Sequence, residues 1–147
     1  MPHSIYIHIP FCQVRCAYCD FNTYAGLEDI MPAYAEAVAR EIRLVGEAAR
    51  GQQAGSRLKV HTVFFGGGTP SLLPQSLTES ILQSVGDSFE IATGAEITVE
   101  ANPGTVDAAK LAGLRASGVN RLSFGAQSAQ PEELRLLGRL HTFEQAV

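Results

Sequence analysis

Cys12, Cys16 and Cys19 are the only cysteines of the chain, and all three fall within eight residues in the run Pro-Phe-Cys-Gln-Val-Arg-Cys-Ala-Tyr-Cys-Asp-Phe. Three thiolates on one short loop can hold three irons of a cubane iron–sulfur cluster, which normally takes four cysteines, and leave the fourth iron open to a ligand that is not protein. An open iron points to chemistry rather than to electron storage. The competing metal is a structural zinc, which is closed by four ligands and usually built from two spaced pairs. Here the spacing is C-x3-C-x2-C with no second pair downstream. His8 or His3 would have to supply the fourth ligand, His8 by leaving the face of a predicted strand. A disulfide would strand one thiol, so the cluster of cysteines suits a reducing compartment better than a secreted framework.

Three further segments carry unusual residues. Gly66-Gly67-Gly68-Thr69-Pro70 lacks both the lysine of a P-loop and the spacing of a dinucleotide fingerprint. Taken alone it is a turn, but glycines let a ligand approach the backbone and present N–H and C=O groups to it. Glu100 alternates with Ile97 and Val99 and so shares a face with Thr98. It is either a surface carboxylate or an acceptor for an ammonium or a ribose hydroxyl. Gln127 and Ser128 follow Gly125, where the amide suits bidentate hydrogen bonding and the pair equally suits a capped turn. Arg139 either pairs with a carboxylate in the fork geometry of a guanidinium or is a solvated helix-end cation.

These residues need a scaffold, and the chain's periodicity supplies one. Ser4 to Ile9 alternates, with Ile5, Ile7 and Ile9 on one face and Tyr6 and His8 on the other, which predicts a strand. A helix is predicted from about Asp29 to Ala49, with Val38, Ile42 and Val45 at helical spacing, and a surface loop from Gly51 to Arg57. Further strands are predicted at Val60–Phe65, Glu96–Glu100 and Arg121–Phe124. Helices should lie near Gln75–Gly86, with Leu77, Ile81, Leu82 and Val85 inward, and near Val106–Ser117, and one should open near Pro131. Four strand–loop–helix units in a row predict an α/β fold with a parallel sheet and right-handed crossovers. An open doubly wound sheet and a βα barrel both place ligands at the strands' C-terminal ends. Four unusual loops on that rim favour the barrel, which gathers its rim loops around one centre.

The 147 residues, 46% hydrophobic and 18% charged, have the composition of an ordinary globular domain, and the net charge of −4 argues against a nucleic-acid groove. No apolar run approaches the roughly 20 residues of a membrane span, and no secretory signal is evident, so the expected compartment is the cytoplasm. Because the sequence stops at Val147 without a closing strand, it is expected to be the amino-terminal part of a longer polypeptide.

With its C-x3-C-x2-C motif, the chain resembles the radical S-adenosylmethionine superfamily. Within that superfamily, Tyr6-Ile7-His8-Ile9-Pro10-Phe11-Cys12, Phe65-Gly66-Gly67-Gly68-Thr69-Pro70-Ser71, Glu100-Ala101-Asn102-Pro103 and Asn120 through Ser128 look like the oxygen-independent coproporphyrinogen III oxidase group. The resemblance implies the amino-terminal portion, over residues 1–147, of a single core domain built as a partial (β/α)6 TIM-like barrel. It implies a [4Fe-4S] cluster held by Cys12, Cys16 and Cys19. S-adenosyl-L-methionine would be contacted by Tyr6, Tyr18, Gly67, Gly68, Thr69, Glu100, Gln127 and Arg139, with the Tyr18 ring over the adenine. A further acidic contact of the family falls beyond Val147. In the family the cofactor's amino and carboxylate groups chelate the open iron, and one electron cleaves its sulfonium to give a 5′-deoxyadenosyl radical.

The group has two branches. Its oxidases, which decarboxylate coproporphyrinogen III to protoporphyrinogen IX, typically carry another cysteine two residues after the third ligand and a long amino-terminal extension. Here Phe21 holds that position and eleven residues precede Cys12. Both departures imply the HemW-like branch, whose members resemble haem chaperones. The expected ligand is therefore haem, or a porphyrinogen in the alternative, with a haemoprotein as recipient and an electron donor that the residues do not identify.

Overall fold

The computed structural model describes residues 2–52 and 55–146. In chain order the elements are β1 (His3–Ile9), β2 (Phe11–Cys12), β3 (Tyr24–Ala25), α1 (Met31–Gln52), β4 (Lys59–Gly67), α2 (Gln75–Ser88), β5 (Glu90–Ala101), α3 (Ala108–Ala116), β6 (Arg121–Phe124) and α4 (Pro131–Leu136). The alternation read along the first strand holds: Ile7 and Ile9 are buried, while Tyr6 between them is exposed. Val63 and Phe65 of β4 and Ile97 and Val99 of β5 join the isoleucines in one apolar core. The opposite face of the sheet carries Tyr6, Phe64, Thr98 and Glu100, a more polar row than a helix-packed surface tolerates.

The main sheet is entirely parallel and runs in the order β1-β4-β5-β6, each strand beside the one before it in the parallel series. A doubly wound sheet reverses direction at a switch point, and here there is none. Crossovers of one hand advancing one way put their helices on one side of the sheet. Accordingly α1 packs on α2, and α2 meets α3. This is the winding of a βα barrel segment. Among the described residues, β1 and β6 each pair on one side only.

Register brings the strand ends level. Ile9 pairs with Gly67, Phe65 with Val99, and Ala101 with Phe124. Two residues beyond the Phe65–Val99 pair, Gly67 stands beside Ala101, so Ile9, Gly67, Ala101 and Phe124 form one row along the C-terminal rim. Each unusual segment of the sequence leaves the sheet from that row.

Several boundaries differ from expectation. Strand β5 begins at Glu90 rather than Glu96, because Gly94, at φ +76°, interrupts the alternation while the β4–β5 pairing absorbs the irregularity with a register shift between Val60 and Thr62. The first helix buries Met31, Ala35, Ala39 and Ile42, whereas Val45 stays 53% exposed. Gly46 lies so close to α2 that a Cβ there would fall 2.7 Å from that of Ser88. The helix axis is thus set by the contact of small residues, and Val45 is turned past the core. Of the loop expected over Gly51–Arg57, positions 51 and 52 continue the helix and residues 53 and 54 lie outside the described residues.

Asn120 secures the short last strand. Its Oδ1 accepts from Ile97 N and its Nδ2 donates to Ala95 O, both at 2.8 Å, while its own backbone N–H donates to Ile97 O at 3.0 Å. Asn120→Ala strips two backbone groups of β5 of their partners, and we expect a loss of about 1–3 kcal/mol in a urea unfolding titration.

Candidate functional site

The cysteine loop is held at both ends. Phe11 and Cys12 of β2 pair with Tyr24 and Ala25 of β3, and Tyr24 N donates to Pro10 O at 2.8 Å. His8 Nε2 donates to Asn22 O at 2.9 Å, which makes its Nδ1 the acceptor for the Tyr6 hydroxyl at 3.2 Å. His8 therefore stays on its strand with both ring nitrogens engaged. His3 stands at the far end of β1, about 20 Å of strand away from the loop. Neither supplies the fourth ligand that the zinc reading requires.

The glycine turn lies against this loop. Gly68 N donates to Ile9 O and Thr69 N to Phe11 O, both at 2.8 Å. A Cβ on Gly68 would fall 2.5 Å from Phe11 O and 2.9 Å from Cys12 Sγ, so glycine is what allows the two loops to touch. Gly67 adopts φ +116°, a conformation that excludes other residues, and aims its N–H at Glu100 Oε2, 3.2 Å away. The turn after β6 holds Gln127 at φ +66°, a strained value for a non-glycine residue and the kind of outlier that gathers at binding sites.

Arg139 reaches the rim because α4 ends in a Schellman motif. Gly138, at φ +68°, donates to Arg135 O, and Arg139 N donates to Leu134 O, which turns the chain back toward the sheet. Its guanidinium donates to Asn102 Oδ1 at 2.6 Å, to Gly125 O and to Cys16 Sγ at 3.6 Å. Its Nε is buried without a partner among the described residues. The alternative of a solvated helix-end cation is thereby excluded.

These elements surround one cleft of about 280 Å³, whose wall includes Cys12, Cys16, Tyr18, Cys19, Gly67, Gly68, Thr69, Glu100, Gln127 and Arg139. Of the residues that the family resemblance implied for this site, only Tyr6 is off the wall. It lies behind Gly66, stacked on Phe64 with ring centroids 6.1 Å apart, and burial together with the nearby Glu100 carboxylate raises its phenol pKa. Burial also raises the Tyr18 phenol; the Arg139 guanidinium opposes the rise, and Cys16 and Cys19 add to it. Ser128 takes the structural role: it receives Gln130 N at 3.0 Å and donates to Glu133, closing the turn before α4.

Asn102, quoted in sequence only as part of the Glu100-Ala101-Asn102-Pro103 motif and given no role, continues the alternation of Thr98 and Glu100 one step past the strand and faces the cleft. It donates to Thr69 Oγ1 at 3.0 Å and receives Arg139. Phe21, Ser123 and Phe124 also line the wall.

Three free cysteines on one loop are the donor type that an iron–sulfur cluster takes. Among the described residues no three His, Cys, Asp or Glu side chains group as a site for one metal ion. A cubane takes its protein thiolates singly, each on a different iron, so they are arranged around it rather than converging on a point. The unpartnered Arg139 Nε leaves polar capacity beside those thiols for a second, polar ligand, and Gly67 and Gly68, having no side chains, let it come close to the backbone. No helix among the described residues is long and apolar enough to cross a membrane.

Comparison with known proteins places these features in a family. The family model described as "Radical SAM superfamily" matches residues 6–147. "Heme chaperone HemW" of a Synechocystis strain is 46% identical over 147 aligned residues, covering 96% of this chain and 34% of that protein. The Escherichia coli protein of the same name is 42% identical, with 99% of this chain and 37% of that protein covered. The chain thus spans about a third of the length of these curated relatives. Among solved structures, coproporphyrinogen III oxidase (HemN) from Escherichia coli, described as a radical SAM enzyme, superposes with a TM-score of 0.86 at 30% identity over 99% of this chain and 32% of that one.

Proposed function

The chain belongs to the radical SAM superfamily, whose cofactors are S-adenosylmethionine and a [4Fe-4S] cluster, and from that membership we propose that it is the cofactor-binding part of a haem chaperone. The observation that carries this reading is the meeting of three free thiols, the Gly67–Gly68 backbone, Glu100, Gln127 and Arg139 on one cleft. Cys12, Cys16 and Cys19 would hold the cluster. Glu100, already fixed by the Gly67 amide, would accept from the ammonium or a ribose hydroxyl of S-adenosylmethionine. Arg139, with Nε unpartnered among the described residues, would donate to its carboxylate. Gln127 would hydrogen-bond through its amide, and the Tyr18 ring would cover the adenine. Tyr6 would act from behind Gly66, by supporting the Glu100 side of the wall. When bound, the cluster and S-adenosylmethionine supply electron-transfer and radical chemistry; the side chains bind, orient and shield them from water.

The chaperone reading draws on the two HemW relatives and on Phe21, which lies on the cleft wall where the oxidases of the group typically carry a cysteine. A second reading, a coproporphyrinogen oxidase, draws on the close superposition with HemN. Free thiols suit the cytoplasm, where a haemoprotein would be the recipient and a one-electron carrier the donor.

Anaerobic assay of the reconstituted protein separates the two. We expect bound haem that passes to an apo-haemoprotein and no protoporphyrinogen from coproporphyrinogen; turnover to protoporphyrinogen without haem transfer overturns the chaperone reading. Within the cleft, Glu100→Gln and Gln127→Ala should each weaken S-adenosylmethionine binding, Glu100→Gln by about 10-fold or more because a charge-assisted hydrogen bond is lost. Iron and sulfide content should stay unchanged. Isothermal titration with wild-type affinity in both variants would reject these contacts.

A further inference from the structure

The Asn102 side chain stands between two of the three cysteines. Its Oδ1 accepts from Arg139 Nη2 at 2.6 Å, and its Nδ2 donates to Thr69 Oγ1 at 3.0 Å. Arg139 Nη1 reaches Cys16 Sγ at 3.6 Å, and the Thr69 hydroxyl reaches Cys12 Sγ at 3.9 Å. A guanidinium has only donors, so the amide oxygen must face it and the NH2 end is left for Thr69. Having accepted that hydrogen, Thr69 Oγ1 turns its own proton toward Cys12. The chain of bonds is therefore directional, with both arms ending on sulfur.

Its parts are themselves fixed. The Asn102 carbonyl accepts from Thr105 N at 3.1 Å and from Thr105 Oγ1 at 2.6 Å. Thr69 is only 4% exposed, its backbone tied to the cysteine loop. Arg139 is placed by the turn at Gly138 and by the Gly125 carbonyl. Removing the amide would free the Thr69 hydroxyl to rotate and would deprive the guanidinium of the acceptor that aims it.

Hydrogen bonds and positive charge at the sulfurs of an iron–sulfur cluster favour its more negative, reduced state. We propose that Asn102 is a positioning residue that aims Thr69 at Cys12 and Arg139 at Cys16, and so makes the cluster easier to reduce. This role rests on the assignment of the cluster to Cys12, Cys16 and Cys19.

The test is a redox titration followed by electron paramagnetic resonance on the full chain, reconstituted anaerobically with iron and sulfide. Asn102→Ala should keep its iron and sulfide while the midpoint potential falls by an amount equal to a roughly tenfold weaker reduction equilibrium, about 59 mV for one electron. Thr69→Val, which removes one arm without changing shape, should lower the potential less. The double variant should fall no further than Asn102→Ala alone, because Thr69 acts through Asn102. A loaded Asn102→Ala protein with the wild-type potential, or falls that add in the double variant, would overturn the role. Should Asn102→Ala not load, Thr69→Val decides, a lowered potential supporting the role and an unshifted one overturning it. A wild-type chain that takes up no iron and sulfide refutes the cluster assignment and this role with it; a loaded wild type beside unshifted variants refutes the role alone.

Discussion

Cys12→Ser, Cys16→Ser and Cys19→Ser should each leave the anaerobically reconstituted chain without a stable cluster. The thiolate is the ligand, a serine hydroxyl stays protonated at neutral pH, and the chain has no fourth cysteine to take the vacant place. His8 cannot step in, since both of its ring nitrogens already serve the Tyr6 and Asn22 contacts. Iron and sulfide analysis with visible absorbance reads the result. The apolar core formed by β1, β4 and β5 lies on the other side of the sheet from the polar row leading to the cleft, so circular dichroism of the three variants should match the wild type. A single variant that keeps full iron, sulfide and absorbance would defeat the assignment.

Gly68→Ala should be a damaging single-carbon change on the rim. The added methyl would stand 2.5 Å from a backbone carbonyl oxygen, which no rotamer change can move aside, and 2.9 Å from a candidate ligand sulfur. Overpacking of this kind typically costs 1–3 kcal/mol, and with the Gly68–Ile9 and Thr69–Phe11 hydrogen bonds at stake we expect about 3 kcal/mol in denaturant unfolding. Cys12 would be pushed from its place, so cluster yield should fall as well. Gly86→Ala, where a Cβ meets nothing within 4 Å, is the control. Equal stability and equal iron content in the two variants would show that the close approach of the loops is dispensable.

Much of this arrangement was legible because the signals were local. Strict alternation in Ser4–Ile9 and Glu96–Glu100 fixed which residues faced the helices, and each motif followed a strand end, which is where the sheet register then gathered them. What escaped were effects of tertiary contact. Gly94 concealed half of β5, since an isolated glycine in a strand is read as a stop when the bulge that accommodates it lies in the pairing with β4. Val45 has the right spacing for a buried position, and only the tight crossing at Gly46 and Ser88 turns it outward. Tyr6 shares the cleft's face of the sheet, but Gly66 and Glu100 stand between it and the open volume. Arg139 was ambiguous until the Gly138 turn was seen, because a Schellman motif redirects a chain without altering its periodicity. Asn102 was visible in principle, one alternation step beyond Glu100.

The tethering of the cysteine segment has a thermodynamic side. With Phe11 paired to Tyr24 and the Asn22 carbonyl clasped by His8, the ends of the loop are closed before any iron arrives. Closing a free loop of that length would cost about 2 kcal/mol of chain entropy. The folded scaffold bears that cost, so on the cluster assignment proposed above the segment would act as a preformed chelator. Once one thiolate has captured iron, the other two meet it at the high effective concentration of an intramolecular encounter. On the assignment proposed above, loss of the cluster would leave the ends of the loop still closed.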